Sequence, residues 1–232
     1  MVRVFTLFFV CAASFLVARE LSLPNGINYI GQVKNGKPQG KGRMIWPAKA
    51  RYPNEFSETT GLLEPEQRDI ENGFQEVVQE KYVGDFSAGL PHGTGVLTSG
   101  DASHERYSGM WKNGLFHGTG EFTLDRLGYK YSGQWVNGKR EGRGSLDYMI
   151  RYYGEDKKEC GVFASYEYDE KIPDRRACYL RIHFEGEFKD DRANGAGKCR
   201  VAGGPEQACT YRNGKRISDL RYGRGISLPG FK

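Results

Sequence analysis

One spacing of glycines and aromatic residues recurs along the 232 residues of this chain and constrains its fold more than any other feature. When an opening aromatic residue is counted as position 0, glycines follow at +2, +7, +11 and +13, with a second bulky residue at +4. Only Val33 at +4 and Asp191 at +7 depart from this pattern. Such repetition predicts an array of small, similar units. The copies open at Tyr29, Tyr82, Tyr107, Tyr131 and Phe184, with a shorter sixth in register from Gln207.

Each copy has the properties of a β-hairpin. Because side chains alternate along a strand, positions 0, +2 and +4 share one face, which places two bulky side chains around a glycine. Asn-Gly pairs at 35–36, 113–114, 137–138 and 213–214 are typical of tight hairpin turns. An isolated hairpin is marginally stable, so neighbouring copies are expected to pair edge to edge. We therefore predict an all-β fold: an elongated single-sheet solenoid of stacked antiparallel β-hairpins.

The pattern Tyr-x-Gly-x-Trp-x-x-Gly-x-x-x-Gly-x-Gly resembles the MORN repeat. The copies that open at Tyr107 and Tyr131 lie 24 residues apart, and the resemblance covers most of residues 29–216. It implies a non-catalytic repeat scaffold. MORN arrays are often linked to membranes and phospholipid head groups, so the resemblance also implies an anionic lipid as an alternative ligand.

The copies are not evenly spaced. The first and second open 53 residues apart, as do the fourth and fifth, so each gap has room for one extra unit. Residues 47–80 and 148–183 are therefore interpreted as insertions or degenerate repeats within an array that spans 29–216 and precedes a tail, 217–232. In the first gap, residues 65–70 are expected to start a short helix and residues 74–81 to form a strand. In the second, Tyr-Tyr-Gly at 152–154 is interpreted as the remnant of a repeat.

Residues 1–18 have the layout of a secretory signal peptide. Arg3 precedes an uncharged, apolar run from Val4 to Ala18, and Ala13 and Ala18 mark two possible cleavage sites. At 15 residues this run is shorter than the roughly 20 needed to cross a bilayer. We therefore predict an N-terminal signal helix and a protein that is secreted or resides in the lumen of the secretory pathway. Retention of the segment as a membrane anchor is the alternative.

Cleavage would remove Cys11 and leave four cysteines in the C-terminal third of the chain. In an oxidising compartment these indicate two disulfides, although spacing alone leaves all three pairings open. We expect Cys199 to pair with Cys209, because a turn centred on Gly204 would set them opposite each other on adjacent strands. Cys160 would then pair with Cys178 by elimination.

Candidate contact residues for a protein or glycan partner are Tyr107, Trp111, Tyr131 and Trp135, since exposed aromatic side chains dominate many interfaces. The alternative is that these rings form the core of the array.

Basic residues cluster near the turn of the fourth copy and at the end of the array, and they are candidates for binding anionic phospholipids as a peripheral membrane protein. Anionic lipids are concentrated in the cytoplasmic leaflet, which a secreted protein does not meet. Protein binding therefore ranks first if the signal peptide is genuine, and lipid binding if it is not. The cationic residues are Lys139, Arg140 and Arg143, followed by Lys215, Arg216, Arg221 and Arg224.

No convergent catalytic or metal-binding pattern accompanies the repeats. His92 and His117 both stand at +10, but protein metal sites usually need three or more ligands. His104 and His183 have no evident partner, and the carboxylates of Asp190 and Asp191 are expected to be solvated in a turn.

The Gly-x-Gly pairs belong to the hairpins and lack the Lys-Ser/Thr of a phosphate loop. We therefore predict no enzymatic activity, no metal and no cofactor. A dispersed net charge of +5 argues against nucleic acid as a partner. Self-association through the open edges of the sheet is the remaining expectation about partners.

Overall fold

A computed structural model describes residues 18–47, 49–51, 76–100, 105–125, 128–154, 165–168, 176–201, 204–222 and 226–228. The expected signal helix, the expected helix at 65–70 and Cys160 lie outside these residues. Apart from one 3₁₀ turn, Pro24–Gly26, the described secondary structure consists of β-strands.

The strands are short and follow one another through tight turns. In chain order they are β1 (Arg19–Leu23), β2 (Ile27–Lys34), β3 (Lys37–Ile45), β4 (Lys49–Arg51), β5 (Glu76–Val78), β6 (Glu80–Ser87), β7 (Leu90–Ser99), β8 (Glu105–Lys112), β9 (Leu115–Leu124), β10 (Tyr129–Val136), β11 (Lys139–Gly154), β12 (Ser165–Tyr168), β13 (Arg176–Lys189), β14 (Arg192–Val201), β15 (Gln207–Arg212), β16 (Lys215–Arg216), β17 (Leu220–Tyr222) and β18 (Ile226–Leu228).

Fourteen strands form one antiparallel sheet. Its order is β1-β2-β3-β6-β7-β8-β9-β10-β11-β13-β14-β15-β16, with β12 paired to β13. Two further sheets, β4-β5 and β17-β18, have two strands each. The prediction of a single sheet of stacked hairpins is confirmed, and the strand order of that sheet runs from β1 to β16.

The same register recurs in every repeat. Within the third repeat Gly109 lies opposite Gly120, and across the boundary with the second repeat it lies opposite Gly95. Position +15 always faces position 0 of the next repeat, as Leu97 faces Tyr107. Neighbouring repeats therefore share their rings and glycines in one pattern.

The hairpin turns carry the backbone conformation that their sequences predict. Both central residues have positive φ, with Asn113 at 52° and Gly114 at 82° as an example. Asp190 and Asp191 hold the same conformation in the fifth repeat at 48° and 67°. Aspartate tolerates this region better than most residues, so the Gly→Asp departure at +7 keeps the turn type.

The two long gaps do not interrupt the main sheet. Met44 faces Tyr82 and Leu146 faces Phe184, the same +15 to 0 pairing as elsewhere. The described part of the first insertion contributes β4 and β5, so the expected strand at 74–81 is divided between β5 and β6. Residues 152–154, interpreted as the remnant of a repeat, extend β11 and pair with β13.

Rings cover the glycines on one side of the sheet, which we call the ring face: the face that bears the side chains at 0, +2 and +4. The opening tyrosine of each of the first four repeats is fully buried. The Tyr107 hydroxyl donates to the Met110 carbonyl at 2.8 Å, closing the ring over Gly109. Trp111 donates from Nε1 to the Gly95 carbonyl of the preceding repeat at 3.2 Å.

Edge-to-face contacts join these rings into one row. Tyr82 contacts Trp111 of the next repeat at a centroid distance of 4.9 Å, and Tyr107 contacts Trp135 at 5.5 Å. Each +4 ring also contacts the opening ring of its own repeat, at 5.2 Å for Tyr107 and Trp111. Such ring pairs add stability beyond burial itself. The row is therefore the core of the array.

The row makes stability sensitive to high pH. Burial raises the pKa of Tyr129 from 10.0 to about 12, although the charge of Arg140 partly opposes the rise. Since the folded pKa is the higher one, this contribution is fully present below pH 10 and is lost as the pH rises towards 12. We expect a loss of roughly 2 to 3 kcal/mol from Tyr129, with the other raised tyrosines adding to it. Urea midpoints measured across this range should fall, and should fall less steeply in Tyr129→Phe; a flat profile would contradict the prediction.

The expected disulfide joins Cys199 and Cys209, whose Cα atoms lie 5.8 Å apart. The cysteines are diagonal rather than directly opposite, because Cys199 faces Gln207 and Cys209 faces Gly197. In repeat terms, Cys209 occupies the glycine position and Gln207 the position of the opening ring. A disulfide thus stands where the sixth repeat has lost its ring. The pairing of Cys160 with Cys178 stays a prediction.

Removing this bridge should weaken the C-terminal end of the array. Cys199→Ala with Cys209→Ala frees a loop with a sequence separation of 10 residues. We expect the free energy of unfolding to fall by about 2 to 3 kcal/mol, mainly because the unfolded chain becomes less constrained. Denaturant titration of the double variant measures this directly, and an unchanged midpoint would show that the bridge carries no stability.

Candidate functional site

The four aromatic residues considered as contact residues lie on the ring face and are buried. Tyr107 and Tyr131 have no exposed surface, and Trp111 and Trp135 retain 6% and 5%. Neighbouring rings cover them, so they are not an open contact surface. The four rings lie in the core of the array, as the alternative interpretation expected.

The basic residues of the fourth repeat do not form a free cationic patch. Lys139 pairs with Asp190 at 3.1 Å and Arg143 with Glu187 at 3.2 Å. Arg140, expected near the surface, is only 3% exposed. Acidic groups of the fifth repeat therefore offset the cations proposed for lipid binding.

Arg140 is part of the ring row. Its guanidinium lies 5.6 Å from the Tyr131 ring centroid and donates to the Tyr129 hydroxyl. Asp191 accepts from the Arg140 backbone nitrogen at 2.9 Å and pairs with its Nε at 3.5 Å. The expectation that Asp191 is simply solvated is wrong, because its carboxylate accompanies a buried cation.

The opposite side of the sheet, which we call the open face, bears the side chains at +1, +3, +12 and +14. Large apolar side chains stay accessible here, including Val83 at 46% and Met110 at 45%. Leu90 and Leu115 are similarly exposed near the turns. Apolar groups left in solvent on one face mark a candidate interaction surface.

A shallow groove of about 620 Å³ runs across five strands of this face, from β3 to β9. We call it the open-face groove. Its floor is the backbone of the glycines at +2 and +13, which is exposed between the side chains at +1, +3, +12 and +14 that point to this face. Its lining is apolar or small and polar, with one cation. The lining residues are Lys41, Gly42, Val83, Gly84, Thr94, Gly95, Val96, Ser108, Gly109, Met110 and Thr119.

Position +3 decides how polar the groove is. Gln32 and Gln134 accept from the backbone nitrogens at +12 of their own repeats, at 3.3 and 3.2 Å. In the second repeat Asp85 accepts from the Thr94 nitrogen at 3.0 Å. The third repeat has Met110 here, whose thioether is only a weak acceptor. The groove is therefore most apolar at the third repeat.

Asp85 lies on β6 beside the groove and contacts two of its lining residues. Its carboxylate pairs with Lys41 at 2.6 Å and also accepts from the Thr94 hydroxyl at 3.0 Å. Partial burial opposes ionisation of Asp85, but the hydrogen bonds and charge of Lys41 and the Thr94 donors outweigh it, so the pKa lies below its ordinary value. Asp85 is thus held as an anion that offsets the charge of Lys41.

Cations lie on both sides of the open-face groove. Lys81, Arg106 and Lys130 form a row on alternate strands at position −1, separated by Thr98 and Thr123. All three cations are exposed. On the other side, Lys112 follows Met110 by two residues on β8 and is also exposed. The groove therefore has a single charged lining residue, Lys41, which Asp85 offsets, and it has positive side chains on both flanks.

Two of the histidines, His92 and His183, have local partners. The Asn113 backbone nitrogen donates to Nδ1 of His92 at 3.5 Å. His183, expected to have no partner, lies opposite Asp147, with Nδ1 to Oδ1 at 3.0 Å. Among the described residues there is no group of three or more side chains suited to hold a metal ion. The described helical segments also include none long and apolar enough to cross a bilayer.

Sequence reasoning did not identify the open-face groove. It had one usable signal: the glycines at +2 and +13 face each other, and their rings cover a single side of the sheet. The other side then bears the side chains at +1, +3, +12 and +14, with no ring row over it. The departure of Met110 from the polar residues at +3 would have located the apolar part.

Comparison with protein families gives one match, to the MORN repeat. The matched segments are residues 29–51, 82–103, 107–125, 131–149 and 184–204. They begin at the opening aromatic residue of each complete copy. A search of curated proteins gives no match.

Proposed function

Because this chain is a MORN-repeat protein, we propose that it is an interaction scaffold of the secretory pathway or the extracellular space that binds a protein partner through its open face. MORN repeats are a non-catalytic repeat type and generally form protein- or lipid-binding scaffolds. The specific partner class and the compartment are our proposals.

The observation that carries the protein-binding proposal is the open-face groove. It combines a backbone floor with accessible apolar side chains such as Val83 and Met110, in a concave site of about 620 Å³. Interfaces combine an apolar centre with a polar rim. The Thr and Ser side chains and the flanking cations supply that rim.

Anionic lipid is the competing ligand, because the same family binds phospholipids. The cations first considered for it, Lys139, Arg140 and Arg143, lie against Asp190, Asp191 and Glu187. Paired charges attract an anionic surface less than free ones, and exposed pairs are further screened by salt. Protein binding is therefore the preferred proposal.

Two features support a secretory location. Residues 1–18 have the layout of a signal peptide. The buried Cys199–Cys209 disulfide is a kind of bond that persists in oxidising compartments. Mass spectrometry of the native protein should find a chain that lacks the signal and has no free thiol. An intact N-terminus with reduced cysteines would overturn the location.

Selection of random displayed peptides on the purified chain tests the binding proposal. Peptides enriched on the wild-type protein should bind at least about tenfold more weakly to Met110→Glu, which puts a charge into the apolar groove. Ile217→Glu is the matched control, since Ile217 is an apolar side chain of similar exposure that does not line the groove. Equal binding to both variants would refute groove binding.

Vesicles containing phosphatidylserine test the lipid alternative. At low salt we expect no association with the wild-type protein. Association that weakens in Lys139→Gln with Arg143→Gln, and disappears with added salt, would reverse the order of the two proposals.

A further inference from the structure

We propose that the open-face groove takes an acidic, amphipathic segment of a partner protein, which lies across the strands with apolar side chains over the glycine floor and carboxylates towards the flanking cations. This inference rests on the proposed protein-binding function and names the class of partner. Shape, charge and spacing each contribute to it.

The groove has the length of a short extended segment. It crosses five neighbouring strands, which corresponds to about 20 Å at the usual strand separation. About six residues of extended chain span this distance. Val83, Val96 and Met110 would receive apolar side chains, and the bare backbone of Gly95 and Gly109 permits a close approach.

The flanking row supplies the charge complementarity. Lys81 and Arg106 precede Val83 and Ser108 by two residues on the same strand face, so each lies about 7 Å along the strand from the groove lining. Successive members of the row sit two strands apart, or about 10 Å. Carboxylates on alternate residues of an extended peptide share one side of the chain at a spacing of about 7 Å, which the long Lys and Arg side chains of the row can reach.

Two of the three members of the row, Lys81 and Arg106, have available charge. The third, Lys130, is paired with Glu121, and Lys41 in the groove lining is paired with Asp85. Lys81 and Arg106 make no ion pair with any residue that the structure describes. An approaching carboxylate would therefore meet uncompensated positive charge, which favours acidic partners and speeds their encounter.

A concave site favours a peptide over a membrane. The apolar side chains here line a groove, whereas insertion into a bilayer requires apolar side chains that project from the surface. A membrane would also meet the outer row of cations without reaching the groove floor. A peptide segment can contact the groove floor and the flanking cations at the same time.

Three displayed-peptide libraries test the inference on the full chain. They share a random central stretch and differ in the flanking positions, which carry Asp and Glu, Ser and Gln, or Lys and Arg. Enrichment should come predominantly from the acidic library, and the selected peptides should bind about tenfold more weakly to Lys81→Glu with Arg106→Glu. Lys189→Glu with Arg200→Glu changes the net charge equally at exposed sites of the fifth repeat and should leave binding unchanged.

The outcomes separate this inference from the function on which it rests. Equal enrichment from all three libraries, with Met110→Glu still abolishing binding, would overturn the acidic partner and leave groove binding intact. Enriched peptides that tolerate Met110→Glu would overturn both. Competition of the selected peptides by phosphatidylserine vesicles at low salt would point to a membrane instead. Circular dichroism of every variant should match the wild type.

Discussion

Gly109→Ala should destabilise the protein by about 3 to 5 kcal/mol, although it adds a single methyl group. A Cβ atom at this position would lie 2.5 Å from the Gly120 Cα and 2.7 Å from the Thr119 carbonyl oxygen. Both are backbone atoms of the paired strand, so no side chain can rotate to make room. Relief requires the two strands to separate, which breaks hydrogen bonds on the ladder and opens the ring row above them. Urea denaturation of the purified variant measures the loss.

Gly100→Ala is the matched control for this substitution. A Cβ atom there would approach only the Gln79 carbonyl oxygen, at 3.3 Å, and the φ angle is not one that penalises alanine. We expect a change below about 1 kcal/mol. If Gly109→Ala cost no more than Gly100→Ala, close backbone packing would not be the reason for glycine at this position.

A third glycine distinguishes the ring from the backbone. The nearest atoms to a Cβ at Gly120 all belong to the Tyr107 ring. The cost of Gly120→Ala should therefore shrink in a Tyr107→Ala background, whereas the cost of Gly109→Ala should persist. Such coupling between contacting residues is what a double-mutant cycle detects.

The fold could be predicted from the sequence because the pattern that determines the hairpin geometry recurs five times. Glycines at fixed intervals require close approach of strands and rings, and Asn-Gly pairs specify the turns. Both features are local, so neither depends on knowing the distant neighbours. The long gaps are different: nothing in 47–80 or 148–183 reveals that Met44 pairs directly with Tyr82, or Leu146 with Phe184.

Both departures from the repeat have physical reasons that only the register provides. A +4 side chain packs between the opening rings of its own and the preceding repeat, as Trp111 does between Tyr107 and Tyr82. Val33 belongs to the first repeat, and the described strand before that repeat, β1, has no aromatic residue for a ring at +4 to contact. Asp191 replaces glycine because the facing repeat has Arg140 where the others have Pro, Phe or Ala.

The candidate site was less predictable than the fold. Aromatic residues were the natural candidates for contact, yet the regular spacing that makes them conspicuous also assigns them to the core. The groove lies on the face whose residues vary from repeat to repeat. A pattern search suppresses such positions, so the exposed Val83 and Met110 emerged only from the structure.

Asp191→Asn should cost about 3 to 4 kcal/mol, making it the second large effect that we expect. The substitution keeps the size and turn preference of the side chain but removes its charge, leaving the 3%-exposed Arg140 without the carboxylate that faces it. Losing one partner of a buried pair is costly because the remaining charge has little access to water. The adjacent Asp190→Asn provides the control: its partner Lys139 is exposed, so the change should stay within about 1 kcal/mol.

Arg140→Phe combined with Asp191→Gly recreates the pairing of Phe116 with Gly138 in the neighbouring repeats. Because apolar packing often replaces a buried ion pair without loss, this double variant should recover most of the stability. Denaturant midpoints of the four proteins decide the matter, and similar losses in Asp190→Asn and Asp191→Asn would show that burial of Arg140 does not control the effect.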